Sequence, residues 1–147
     1  MVSNTEKMKL LPGPWDNEPN KLTFKAHGLK CFIQRQKNLG HLCGYVDLPN
    51  DHSAFGKHYD NIDVEVHGGL TYAQKTGFSL SPFNWGGKWR VGFDCAHLGD
   101  FVPAWLLPEM GISEFINSST YRDIEYVKAE CSRLAEQLSK MGDKKNV

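Results

Sequence analysis

Ile124, Val127, Cys131, Leu134, Leu138 and Met141 recur at intervals of three and four residues. That spacing gathers them on one face of a helix. A helix with a single apolar stripe needs an apolar surface to lie on, so this run constrains the fold more than any other. The reading is a helix over 119–141. Ser118, Ser119 or Thr120 can cap its start, Asp123 suits its first turn, and Gly142 stands just past its end. At about 1.5 Å per residue, such a helix is roughly 30 Å long and can cover one face of a sheet.

The sheet is legible upstream. Leu22, Phe24 and Ala26 alternate with Thr23 and Lys25, then Leu29, Cys31 and Ile33 alternate with Lys30, Phe32 and Gln34. Period two means strand. His27-Gly28 interrupts the run, so 22–35 is either a hairpin or one long bent strand. Asn38-Leu39-Gly40 is turn chemistry, and Leu42 to Leu48 is the next strand, ended by Pro49-Asn50-Asp51. The polar stretch 50–61 reads as a loop able to fold over a site. Ile62, Val64 and Val66 alternate with Asp63, Glu65 and His67, which predicts a strand over 62–66 that stops at His67-Gly68-Gly69 and resumes briefly over 70–73. A loop bearing Phe78, Phe83 and Trp85 leads to a strand over 89–93, followed by a loop over 94–108 that is apolar for its position. Residues 1–20, with Pro12, Pro14 and Pro19, form an irregular arm pinned by Leu10, Leu11 and Trp15. The expected whole is one α+β domain over 1–147: an antiparallel sheet of four to six strands with the long C-terminal helix on one face.

Composition narrows function. At 147 residues the chain can bury one real core. Lys plus Arg and Asp plus Glu both number 17, so the net charge is zero. Neither a basic nucleic-acid binder nor an acidic DNA mimic fits that balance, although a local patch is compatible with it. No direct nucleic-acid binding is therefore expected. Met1 to Leu11 holds no apolar run of signal-peptide length, and no stretch reaches the roughly 20 apolar residues of a membrane span. The expectation is a cytoplasmic protein whose four Cys stay reduced.

Two strand ends carry metal-capable side chains. His67 closes the 62–66 strand, and Asp94, Cys95, His97 and Asp100 follow the 89–93 strand. Imidazole nitrogen and carboxylate oxygen suit a borderline cation such as zinc. Asp94-x-x-His97 puts two ligands on one tight turn, and pairing of 62–67 with 89–94 would bring in His67. Gly68, Gly69 and Gly92 would let backbone pass close to the ion. His52 is the choice for a fourth ligand, with Cys95 and His58 as runners-up. Asp100 would be an acceptor that orients an imidazole N–H. The alternative is a hydrogen-bonded polar cluster without metal. Cys95 as a nucleophile lacks any oxyanion-hole signature beside it.

The segments GYVDLPNDHSAFGKHYD, VEVHGGLTYA, WRVGFDCAHLGD and YRDIEYVKAECSRLAEQL resemble a family of small phage and prophage proteins sharing HGGLTY and GFDCAH blocks. The resemblance covers roughly residues 41–138. Within the family the chain is similar to streptococcal prophage proteins of the anti-CRISPR class, inhibitors of the type II-A RNA-guided DNA nuclease. It implies a bound zinc, with His52, His67, Asp94 and His97 as ligands, and a CRISPR-Cas effector nuclease as protein partner in the bacterial host's cytoplasm.

Two other classes stay open. A zinc-dependent hydrolase would use Glu65 or Asp63 as base, but no HExxH helix or paired acid–base motif accompanies them. A sponge for a nucleotide signal would stack a base on loop aromatics. No convincing catalytic constellation appears, so the chain is not expected to be an enzyme.

Overall fold

His27 and Gly28 both take positive φ, 52° and 80°, the backbone of a two-residue hairpin turn. They settle the first question: β1 (Lys21–Ala26) and β2 (Leu29–Arg35) are a hairpin, not one bent strand. The computed structural model describes residues 11–76, 87–106 and 119–142. The further strands are β3 (Leu42–Leu48), β4 (Tyr72–Lys75) and β5 (Trp89–Asp94), and the helix α1 runs Ile124–Met141. All five strands pair antiparallel in one sheet, in the order β1-β2-β3-β5-β4. This is the expected α+β architecture.

Alternation divides the sheet into two faces. Leu22, Ile33, Gly44 and Phe93 form one rung facing α1, and Phe24, Cys31, Val46, Val91 and Ala73 form the next. Against them pack Val127, Cys131, Leu134, Ala135 and Leu138, all fully buried. Burying each larger side chain contributes about 1.5–3 kcal/mol, so this seam is the main source of stability. Gly44 lets the helix approach: a Cβ there would lie 2.6 Å from Cys131 Sγ and 2.7 Å from the Phe93 ring. Among the described residues no helix is long and apolar enough to cross a membrane.

Three sequence expectations need correction. First, 62–66 is not a strand. Its period-two burial is real, since Ile62 and Val66 are buried between exposed Asp63 and Glu65. The backbone, however, bonds to helix side chains. Gln137 accepts the Glu65 N–H through Oε1 and donates to the Glu65 carbonyl through Nε2, each at 2.7 Å, and Glu130 accepts the His67 N–H at 2.9 Å. An amide side chain gives this stretch the donor and acceptor that a neighbouring strand would give. Second, the partner of β5 is therefore β4, which lies two residues later than the expected 70–73 strand. Third, α1 starts at Ile124 instead of 119. Asp123 is itself the N-cap, accepting the Tyr126 N–H at 2.9 Å, because Thr120 is held in a parallel bridge to Asp100. At the other end Gly142 takes the expected positive φ, 72°.

The arm is pinned by Trp15, which stacks on Phe101 at 5.9 Å and meets Tyr121 edge-on at 5.2 Å. Leu11 has a 42% exposed surface and joins the arm through its carbonyl, which accepts the Trp15 Nε1–H at 3.0 Å, while Leu10 lies outside the described residues. Ser118, Phe78, Phe83 and Trp85 also lie outside them.

Candidate functional site

Three segments meet near the N-terminal half of α1: the extended stretch 62–67, the turn after β5, and the strip that enters the helix. Asp100 sits where they join, with 0% of its surface exposed. It accepts from His67 Nε2 at 2.9 Å, from Arg122 Nε at 2.8 Å and from the His97 backbone N–H at 2.9 Å. Burial alone would raise the carboxyl's pKa. The bonds from His67, Arg122 and His97 outweigh it and hold the group below the ordinary carboxylate range. A carboxylate only accepts, so His67 carries its proton on Nε2. His67 Nδ1 faces the Tyr126 hydroxyl at 2.8 Å, and in the neutral ring that hydroxyl donates to it. The result is a chain from Tyr126 through His67 to Asp100. Burial first, then Glu130, push the Tyr126 phenol up, so it is a donor here and not a phenolate.

Asp94 and His97 lie beside this chain. Asp94 accepts the Ala96 N–H at 3.2 Å and the Thr71 hydroxyl at 3.4 Å. His97 Nε2 comes within 3.1 Å of Asp94 Oδ1. That buried nitrogen makes no hydrogen bond with a described residue. The His97 ring packs 5.9 Å from His67 and lies over Gly68. A Cβ at Gly68, whose φ is 69°, would come within 2.2 Å of His97 Cδ2, so only glycine serves at that position.

The structure thus brings His67, Asp94, His97 and Asp100 together, with Asp100 in the orienting role expected of it. The joining is not by pairing of 62–67 with 89–94, since the first of these is not a strand. His52 is elsewhere. Its Nδ1 accepts the Ala54 N–H at 2.9 Å, and its Nε2 meets the Leu138 carbonyl at 2.8 Å. That carbonyl is one of the last four of α1, so His52 caps the helix C-terminus. Along the helix, Leu138 is twelve residues from Tyr126, where His67 docks, a separation of about 18 Å. His58 caps a short turn, taking the Asp60 N–H at 3.2 Å, and is mostly exposed. Cys95 is buried, and burial followed by the Asp100 charge pushes its thiol up, opposite to what a nucleophile needs. A Cβ at Gly92 would lie 2.3 Å from Tyr45 Cδ1, so this glycine clears space for that ring.

His41 was not singled out by sequence reasoning. It is 5% exposed, and its Nδ1 makes no hydrogen bond with a described residue. Burial pulls its pKa down, against the charges of Asp94 and Asp100. Its position after Gly40 makes it read as a turn residue, and only burial marks it out.

Among the described residues, no three of His, Cys, Asp or Glu are set as a ready ligand shell for a metal. The chain matches no family model, no curated protein and no solved structure.

Proposed function

We propose that this chain is an inhibitor that acts by binding, and that its partner is a type II-A RNA-guided nuclease in the cytoplasm of a bacterial host. The partner rests on the resemblance of the HGGLTY and GFDCAH blocks to phage proteins of that class. The observation that carries a holding role over a catalytic one is the closure of the centre around Asp100. Its three donors come from the same chain, and both ring nitrogens of His67 are engaged. Such a knot fixes three segments against one another and leaves the surrounding surface to meet a partner.

Zinc belongs to the same proposal. Asp94 and His97 supply the first two donors, since His97 Nε2 makes no hydrogen bond with a described residue. His67 joins them by releasing Tyr126 or Asp100. His41, whose Nδ1 makes no hydrogen bond with a described residue, takes the fourth place in preference to His52, which is engaged with Ala54 and Leu138. A zinc held this way lends on the order of 10 kcal/mol to folding. Metal analysis of the purified protein, with His97→Ala, His41→Ala and His52→Ala beside it, separates these roles. The first two variants should lose metal, and His52→Ala should keep it. Equal metal content in all four, or none in the parent, contradicts the zinc assignment. Co-elution with the nuclease tests the partner separately.

A further inference from the structure

The face of the sheet turned away from α1 carries a second, unrelated arrangement. Its central rung crosses all five strands as Thr23, Phe32, Tyr45, Gly92 and Tyr72. Phe32 and Tyr45 have ring centroids 5.9 Å apart, and Tyr45 and Tyr72 5.3 Å. Gly92 makes the row continuous, because a Cβ there would lie 2.3 Å from Tyr45 Cδ1. All three aromatic side chains are partly exposed, and no helix among the described residues packs on them.

The next rung is Lys25, Lys30, Asp47, Arg90 and Gln74. The Arg90 guanidinium lies 4.9 Å from the Phe32 ring centre and 5.9 Å from that of Tyr45, and Asp47 holds it by two bonds at 2.7 and 3.0 Å. Lys25 and Lys30 stand directly opposite each other, and Lys21 lies on the rung beyond the aromatics. All three lysines are exposed, and none forms an ion pair with a described residue. Like charges set opposite across two strands destabilise the free protein. A bound polyanion removes that cost.

We propose that this face binds single-stranded nucleic acid, with bases stacked on Phe32, Tyr45 and Tyr72 and the phosphate backbone running along Lys21, Lys25 and Lys30. Aromatic rungs on a sheet stack bases that a duplex would hide, and flanking cations follow the backbone. Size favours an oligonucleotide over a mononucleotide: from Phe32 on β2 to Tyr72 on β4 is three strand gaps, about 14 Å. The zero net charge of the chain hides this face, whose described strand residues set Lys21, Lys25, Lys30 and Arg90 against Asp47 and Asp94. The inference is independent of the proposed nuclease partner.

The test is fluorescence anisotropy of a labelled oligothymidylate of about twelve nucleotides, a length within known site sizes, titrated with the full chain at several salt concentrations. Binding should weaken as salt rises. Tyr72→Ala on the edge strand, and Phe32→Leu, which keeps apolar volume, should each weaken it by about fivefold or more. Lys25→Gln with Lys30→Gln should lower the log–log salt slope by about 1.4, at about 0.7 for each lost charge on a single strand. Circular dichroism melts confirm that each variant folds. The proposal is overturned by no binding at low salt, by binding indifferent to Tyr72→Ala and Phe32→Leu, or by adenosine monophosphate competing as well as the unlabelled oligomer. It is also overturned if these variants lose only nuclease binding, which makes the face a protein-docking surface.

Discussion

Asp100 carries more of the molecule than its single charge suggests. Asp100→Asn keeps the shape but removes the charge at which His67 and Arg122 are aimed. Breaking a buried pair costs about 3–5 kcal/mol, and the 25% exposure of the Arg122 side chain brings the expectation to about 2–3. A thermal melt at neutral pH reads it directly. The same residue sets an acid limb. Its folded pKa lies below its ordinary 3.8, so the unfolded chain binds the proton more readily. The stability it contributes is fully present above about pH 4 to 5 and is lost as pH falls through the folded value. Urea midpoints measured from pH 6 to 3 should fall for the parent and run flatter for Asp100→Asn. Equal slopes contradict this account of Asp100. Some of this was legible: Asp100 was readable as an acceptor for an imidazole N–H, and His67 supplies that N–H. Arg122 and Tyr126 were not, because they reach His67 and Asp100 from another part of the chain. His41 was missed because burial has no signature in a turn-like sequence.

At the scale of elements, 62–66 shows what a period-two pattern can and cannot say. Alternation reports which side chains face the core, and Ile62 and Val66 do. It does not report what the backbone bonds to, and here Gln137 takes the role of a partner strand. Gln137→Ala should free the Glu65 amide. The expected result is fast hydrogen exchange at Glu65 and a loss of about 1 kcal/mol, discounted because the bonds are near solvent. An unchanged exchange rate argues against the staple. The helix stripe was read correctly over most of its length because burial and period agree there. Its start was placed too early because Ser118, Ser119 and Thr120 resemble caps, while Thr120 is engaged with Asp100. The β1–β2 hairpin was ambiguous for a related reason: His27 gives no sign in sequence of its positive φ.

Across the whole molecule, the helix seam and two polar knots among the described residues hold the parts together. The second knot is Glu18, which accepts from Arg35 at 3.1 Å, from the Tyr121 hydroxyl and from the Ile124 N–H at 2.8 Å, tying the arm to β2 and to the helix start. Trp15 seals that corner, being 6% exposed. Trp15→Ala should cost about 3 kcal/mol, visible as a lower melting temperature; a change within error would mean that the arm is not part of the folded unit. Sheet order, by contrast, was beyond the sequence. β4 lies outside β5 because the chain first runs back along α1, from His52 at Leu138 to His67 at Tyr126. If the molecule inhibits by occupying a partner, as proposed, titrating a fixed amount of type II-A nuclease with this protein reads the stoichiometry. DNA cleavage should fall linearly and stop near one equivalent. No inhibition at excess, or loss of cleavage at a small fraction of an equivalent that a chelator abolishes, contradicts the account.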